Sequence, residues 1–320
     1  MRAGRLAAWP LLVALAGCTA AVPPPAPPPA VPAPAPVMPT LAADFTLTGS
    51  IEQGGLASGI VPSGTVRLDF DGAPVGFAAD GRFLIAFDRD HAPDATLLAQ
   101  IADGSRRVRT IVVRPHRWSI ESLPTLQQGT TPTPEFLARR KIELDQIGAA
   151  RAAQSASTGW RQHFIWPATG RISGVFGSQR IYAGQPGAYH AGVDIARPTG
   201  TPIVAPADGV VILAAASPFT LEGNLLMIDH GMGLNSAFLH LSRIDVKPGQ
   251  IVRQGQPIGL VGMTGRATGP HLHWAIKWRD ARIDPAPLAG PMTGMRCLDL
   301  CADQESRRKL APRPESILPR

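Results

Sequence analysis

Apolar and polar positions change rhythm repeatedly along this chain, and each rhythm predicts a different kind of structure. After a basic start at Arg2 and Arg5, an apolar run from Leu6 to Ala16 ends in small residues before Cys18. The run is shorter than the ~20 residues a permanent membrane helix needs, so residues 1–18 read as a cleaved export leader. Residues 19–42 are rich in Pro, Ala and Val, a composition that cannot bury a core and favours polyproline II. Between residues 43 and 117 apolar side chains take every second place: Val66, Leu68 and Phe70; Phe83, Ile85 and Phe87; Ile111 and Val113. Asp71-Gly72, Asp80-Gly81 and Asp103-Gly104 supply turns between these runs, so a small antiparallel β-sandwich is expected. It holds no catalytic constellation and reads as a spacer or docking module.

Residues 118–159 form a linker and a helix. Thr133-Pro134-Glu135 opens that helix, which is expected to run from Pro134 to Ser157 with a narrow apolar face of Phe136, Leu137, Ile142, Leu144 and Ile147. Across residues 160–288 the rhythm shortens to brief apolar strands closed by Gly209, Gly249, Gly255, Gly259, Gly262, Gly265 and Gly269. The expected fold class is therefore all-β: an N-terminal small β-sandwich, a connecting helix and a C-terminal antiparallel β-sheet domain of barrel-sandwich character. Residues 289–320 are polar, with Arg307, Arg308 and Lys309 together, and read as a disordered tail.

Charge and cysteine content narrow the class. The formal net charge is +7, or about +5 once Arg2 and Arg5 leave with the leader. The basic residues are scattered, without the dense block that nucleic-acid binding calls for, so no nucleic-acid partner is expected. Cys18, Cys297 and Cys301 are too few for a disulfide framework, and none lies in a pattern for structural zinc. Cys297 and Cys301 either form a local bridge in an exported protein or remain ordinary thiols. The ending Leu15-Ala16-Gly17-Cys18 resembles the lipobox of bacterial lipoproteins, which implies lipidation at Cys18. Thr19 resembles the outer-membrane sorting pattern, so the expected location is the cell envelope, lipid-anchored and facing the periplasm. A polyproline stretch from Val22 to Pro39 would hold the folded part some 50–60 Å (~3.1 Å per residue) from the membrane, within reach of the wall.

The chemistry lies between residues 160 and 288. Three segments stand out: His190-Ala191-Gly192-Val193-Asp194, Phe238-Leu239-His240-Leu241 and Gly269-Pro270-His271-Leu272-His273-Trp274. On a strand, His190, Gly192 and Asp194 share one face while Ala191, Val193 and Ile195 take the other. By the same parity His271 and His273 point together, with Leu272, Trp274 and Ile276 packed behind. Two neutral imidazoles and one carboxylate fill three positions of a tetrahedral zinc site and leave the fourth for water. A further histidine on that face is free for proton transfer.

These segments resemble the HxxxD and HxH motifs of the lysostaphin-type (LytM) zinc metallopeptidases. Ile165-Trp166-Pro167, Ile172-Ser173 with Phe176-Gly177, Ala205-Pro206-Ala207-Asp208-Gly209 and Thr264 to Pro270 are similar to that family's surroundings, so the likeness spans Trp160 to Leu288. Carried over position by position, it implies that His190, Asp194 and His273 bind one Zn2+, with His240 and His271 as catalytic proton handlers; which of the two is the base stays open. It also implies peptide bonds in the stems or crosslinks of peptidoglycan as substrate. The one departure is Phe238, where a Tyr is common. A rival within the same family is a non-catalytic regulator that activates a cell-wall amidase partner, and Gln179 to Tyr189 is the segment that could close the groove. A lipoyl-like or carbohydrate-binding module, suggested by Val246 to Gly255, leaves the histidines unexplained.

Overall fold

The computed structural model describes residues 44–126 and 132–292. The leader, the lipobox with Cys18, the Pro/Ala-rich linker, Cys297, Cys301 and the basic tail lie outside the described residues.

The N-terminal region begins with β1 (Thr46–Gly49), β2 (Leu56–Ile60), β3 (Thr65–Phe70), β4 (Ala73–Val75), β5 (Arg82–Ala86), β6 (Asp94–Ile101) and β7 (Arg106–Val112). They make two sheets, ordered β1-β2-β5 and β4-β3-β6-β7, and the hydrogen-bonded neighbours are antiparallel. Leu68, Phe70, Ile111 and Val113 are buried as the alternation expects, but Val66, the first of its set, is exposed. β5 departs from the alternation. Phe83, Leu84, Ile85, Ala86 and Phe87 are all buried, because β5 is covered on both sides. Its second cover comes from the C-terminal region, where it meets β21 (Ala281–Ile283), and Phe70 packs edge-on against Trp278 with ring centroids 6.3 Å apart. One hydrophobic core consequently runs from Phe45 to Ala289. Period two detects a strand with one wet face; a strand wrapped on both faces reads as a continuous apolar run, as Phe83 to Phe87 does.

β8 (Ile120–Leu123) follows, then α1 (Pro134–Ala152), capped by the Thr133 hydroxyl accepting from the Phe136 amide at 3.2 Å. The helix stops before the expected Ser157: Ala153 is extended, and Asp229 takes both the amide and the hydroxyl of Ser155. Its packing face also differs from the expected one. Leu137, Ile142 and Leu144 are 54%, 60% and 50% exposed, while Ile147 and Ala150 pack with Leu225, Met227 and Ala237. Glu143 is buried beside them because its carboxylate accepts from the amide and hydroxyl of Thr220 and from Arg139 and Arg140. Arg140 in turn grips Glu222 through two hydrogen bonds. A hydrophobicity pattern cannot predict a face fixed by a satisfied carboxylate.

The C-terminal strands are β9 (Arg171–Gly174), β10 (Gln179–Tyr182), β11 (Gln185–Pro186), β12 (Val193–Ala196), β13 (Pro202–Val204), β14 (Gly209–Ala214), β15 (Asn224–Gly231), β16 (Leu234–Leu241), β17 (Arg243–Ile244), β18 (Ile251–Val252), β19 (Pro257–Leu260), β20 (His271–Trp278) and β21. The main sheet runs β18-β14-β15-β16-β20-β12-β9, with β21 paired to β20, and β13-β19-β17 form a smaller sheet. The short helix α2 (Pro285–Ala289), capped by Asp284, follows β21. Leu272, Trp274, Ile276 and Trp278 of β20 point into the core; the other face of the sheet carries α1 at one side. The segment Gln179 to Tyr189 is a hairpin of β10 and β11, and β10 pairs in parallel with β8.

The α1 clamp yields a stability prediction. Glu143→Ala leaves buried donors without an acceptor and is expected to cost about 1–3 kcal/mol in chemical denaturation, whereas Leu144→Ala is expected to stay within about 0.5 kcal/mol.

Candidate metal centre

Pairing of β12 with β20 sets Asp194 directly opposite His273, and pairing of β12 with β9 sets Asp194 opposite Gly174. Opposed residues on an antiparallel pair have Cβ atoms about 5 Å apart, so the carboxylate and the imidazole meet without a search. His190 arrives from the turn before β12, its amide donating to Ser178 O and its carbonyl accepting from Gly177 N, both at 2.8 Å. The result is a triangle: His190 Nε2 to Asp194 Oδ1 3.0 Å, His190 Nε2 to His273 Nδ1 3.0 Å and His273 Nδ1 to Asp194 Oδ1 2.8 Å. A tetrahedral ion with bonds of about 2.0–2.1 Å keeps its ligands about 3.3 Å apart, so these edges fit a metal with only a slight expansion. Two imidazoles and one carboxylate form a donor set suited to a divalent transition ion.

Glycine makes room for the triangle. A Cβ on Gly174 would lie 2.4 Å from Asp194 Oδ2, and one on Gly192 would lie 2.8 Å from His273 Nε2. A side chain at Gly174 would push on the Asp194 carboxylate, and one at Gly192 on the Trp274 carbonyl and the His273 ring.

Backbone carbonyls orient three of the four histidines. A carbonyl only accepts, so each imidazole nitrogen facing one carries a proton and the opposite nitrogen is turned to the site. His190 Nδ1 donates to Val175 O at 3.0 Å, His240 Nδ1 to Thr264 O at 2.8 Å and His271 Nδ1 to Gly269 O at 2.8 Å. His271 Nε2 then stands 3.7 Å from Asp194 Oδ1. The His240 ring lies 4.8 Å from that of His271 and 6.2 Å from that of His273. All five residues singled out in the sequence thus meet around one point. His240 gets there by an irregular route: it sits at φ 63°, in the left-handed region, with its amide on Glu222 O. Phe238 is fully buried in the core, so a Tyr-to-Phe difference at this position leaves the site untouched.

Charge follows geometry. Burial alone would raise the Asp194 carboxyl, but hydrogen bonds from His190 and His273 outweigh it and hold the group well below the usual carboxylate range. Burial opposes protonation of His190 too, yet Asp194 prevails and raises it. His273 is lowered, chiefly by burial and despite Asp194. Burial pushes His240 down to about 4, with His271 and His273 adding to it, so near neutral pH it is an uncharged imidazole.

Contacts from far away in the chain were not legible in the motifs. Tyr189, next to His190, donates to Asp88 Oδ1 at 3.1 Å and packs under the Arg89 guanidinium, 4.8 Å from its centroid. Arg89 also lies over Trp118 and donates to Gly177 O at 3.0 Å, the residue that holds the His190 carbonyl. The N-terminal region therefore braces the turn that delivers His190.

Two outcomes are expected from this geometry. Gly174→Ala lowers metal affinity by about tenfold or more without unfolding the chain, read by competition with a chromophoric chelator. A metal would have to displace the proton that Asp194 stabilises on His190, so affinity is expected to fall as pH drops through the raised His190 range in the same titration.

Comparison with known proteins agrees with this arrangement. The family profile of Peptidase family M23 matches residues 188–285. The chain is similar to the Vibrio cholerae peptidoglycan DD-endopeptidase ShyA, 37% identical over 153 residues that cover 46% of this chain and 35% of the relative. It is 36% identical over 139 residues to the Neisseria meningitidis DD-carboxypeptidase/endopeptidase Mpg, covering 43% of this chain and 32% of the relative. The matched part is thus about a third of the length of these relatives. A crystal structure of a candidate M23 peptidase from Pseudomonas aeruginosa superposes with a TM-score of 0.59 at 32% identity, covering 75% of this chain and 96% of that one. With that extended likeness and the family match on the residues that carry the triangle, this chain holds a LytM-type domain and belongs to peptidase family M23.

Proposed function

We propose that this chain is a zinc-dependent endopeptidase that hydrolyses peptide bonds in the stems or crosslinks of peptidoglycan. The observation that carries the reading is the convergence of His190, Asp194 and His273 on one point, with His240 and His271 beside it. The relatives named as peptidoglycan DD-endopeptidases support the substrate class.

A zinc ion held by His190, Asp194 and His273 supplies Lewis acidity toward the scissile carbonyl and the attacking water. The chain's residues do the rest. Asp194 stays anionic and balances the ion's charge. His240, uncharged and with Nδ1–H tied to Thr264 O, offers its Nε2 lone pair as the general base. The proton that His240 takes from the water passes on to the departing amine, while His271, oriented by Gly269 O and with its Nε2 beside Asp194, would carry a second proton on Nε2 when it donates to the carbonyl oxygen. Every ligand and helper position is filled, which favours turnover over a purely regulatory role.

The proposal extends to place and layout. Lipidation at Cys18 would tether the chain in the envelope, facing the periplasm, with residues 43–117 as spacer and residues 160–288 as peptidase. Among the described residues no helix is long and apolar enough to cross a membrane.

The purified chain is expected to cleave crosslinked muropeptides, to lose activity with a chelator and to regain it with zinc. His273→Ala is expected to abolish both zinc binding and cleavage. His240→Ala is expected to keep zinc and lose about 10²–10⁴-fold in kcat. Zinc binding without cleavage, together with stimulation of a separate amidase, would sink this reading in favour of the regulator.

A further inference from the structure

The face of β20 that bears His271 and His273 continues through Ala275 to Lys277. Four positions at ~3.3 Å each place Lys277 about 13 Å along the strand from His273. α1 walls this face: Ala275 and Leu239 lie partly buried against the cluster that contains Ile147 and Ala150. At the Lys277 end, register pairing brings Arg282 of β21 and Asn235 of β16 alongside. Arg282 donates to the Tyr189 hydroxyl at 3.2 Å, which ties this end to the His190 turn. Arg151, in the last turn of α1, is close enough that its charge disfavours that of Lys277 and is disfavoured by that of Arg282.

Arg282 is supported by Tyr189 and Asp88, which favour its charged form, but the other two cations are poorly compensated. The Arg151 Nε is buried with no hydrogen-bond partner among the described residues, as is Asn235 Oδ1. Among the described residues Lys277, whose side chain is 16% exposed, pairs only with Asp280, at 3.7 Å, and that carboxylate projects into solvent. Asp88 is engaged by the Arg282 amide and by Tyr189, and Glu222 is held by Arg140. Burial and then Arg151 push Lys277 down; burial and then Arg282 push Arg151 down. Like charges brought together out of water, with a donor left open, are stable only at a cost that an arriving anion removes.

We propose that Arg151, Lys277 and Arg282 form a subsite for a carboxylate of the substrate peptide. The inference rests on the peptidase reading of the site. Extended peptide advances ~3.3 Å per residue, so the recognised carboxylate lies three to four residues from the scissile bond. A neutral amide at that place would leave the buried Arg151 Nε and the inner side of Lys277 without an anion, and the subsite would discriminate against it.

The test uses the zinc-loaded chain and crosslinked stem-peptide dimers, with their carboxylates either free or amidated. Expected for the unsubstituted chain is a KM about tenfold higher for the amidated dimers, with kcat changed by less than about twofold. Lys277→Gln and Arg151→Gln are expected to erase that preference while zinc content stays unchanged and the thermal midpoint does not fall; Arg151→Lys is expected to keep part of it. Calorimetric binding of the same two dimers gives a readout independent of turnover. Tighter binding of the free form without cleavage upholds the subsite and overturns the peptidase reading. Cleavage with equal KM, equal binding or no binding of the two forms, or a preference that survives in Lys277→Gln, overturns the subsite.

Discussion

The register of one antiparallel pair governs this molecule. With Val193–Ala196 aligned on His271–Trp278 so that Asp194 faces His273, a carboxylate and an imidazole share one side of the sheet while Val193, Ile195, Leu272 and Trp274 fill the other. A slip of one residue would bury the polar set and expose the apolar one, so core and site enforce the same alignment. The donor triangle costs little to assemble because hydrophobic burial already holds its two strands in place.

Much of this was legible from alternation alone. Asp194, His271 and His273 fall on the expected strand face, whereas His190 reaches the site from the turn before β12 and not from the strand that alternation predicted; the all-β class with an N-terminal β region and a connecting helix is what the structure has. What escaped was of two physical kinds. Groups without a side-chain signature orient the histidines: the carbonyls of Val175, Thr264 and Gly269 are present at every residue of any chain and become distinctive only in three dimensions. Long-range contacts escaped too. Arg89 lies far from Tyr189 in the sequence, and nothing in its neighbourhood announces a buried cation over two aromatic rings. His240 stands between these cases: its motif was visible, but the left-handed backbone that turns it toward the site was not.

α1 shows how a local pattern misleads when charge does the packing. Leu137, Ile142 and Leu144 look like a buried stripe, yet the face that docks is centred on Glu143, whose carboxylate collects donors from Thr220, Arg139 and Arg140. Through Glu222 the same network reaches the backbone of His240, so a helix outside the motifs sets one border of the site.

β5 is sealed on both faces, one by its own sandwich and the other by the C-terminal strands. The smallest piece of chain that contains the chemistry is therefore smaller than the smallest piece that can hide its own apolar surface. Gene boundaries drawn around the motifs, from Trp160 to Leu288, would cut through a shared core and present greasy seams to solvent, inviting chaperones and proteases before any substrate arrives. Evolution acting on this protein would then exchange the N-terminal region only together with the surface that receives it.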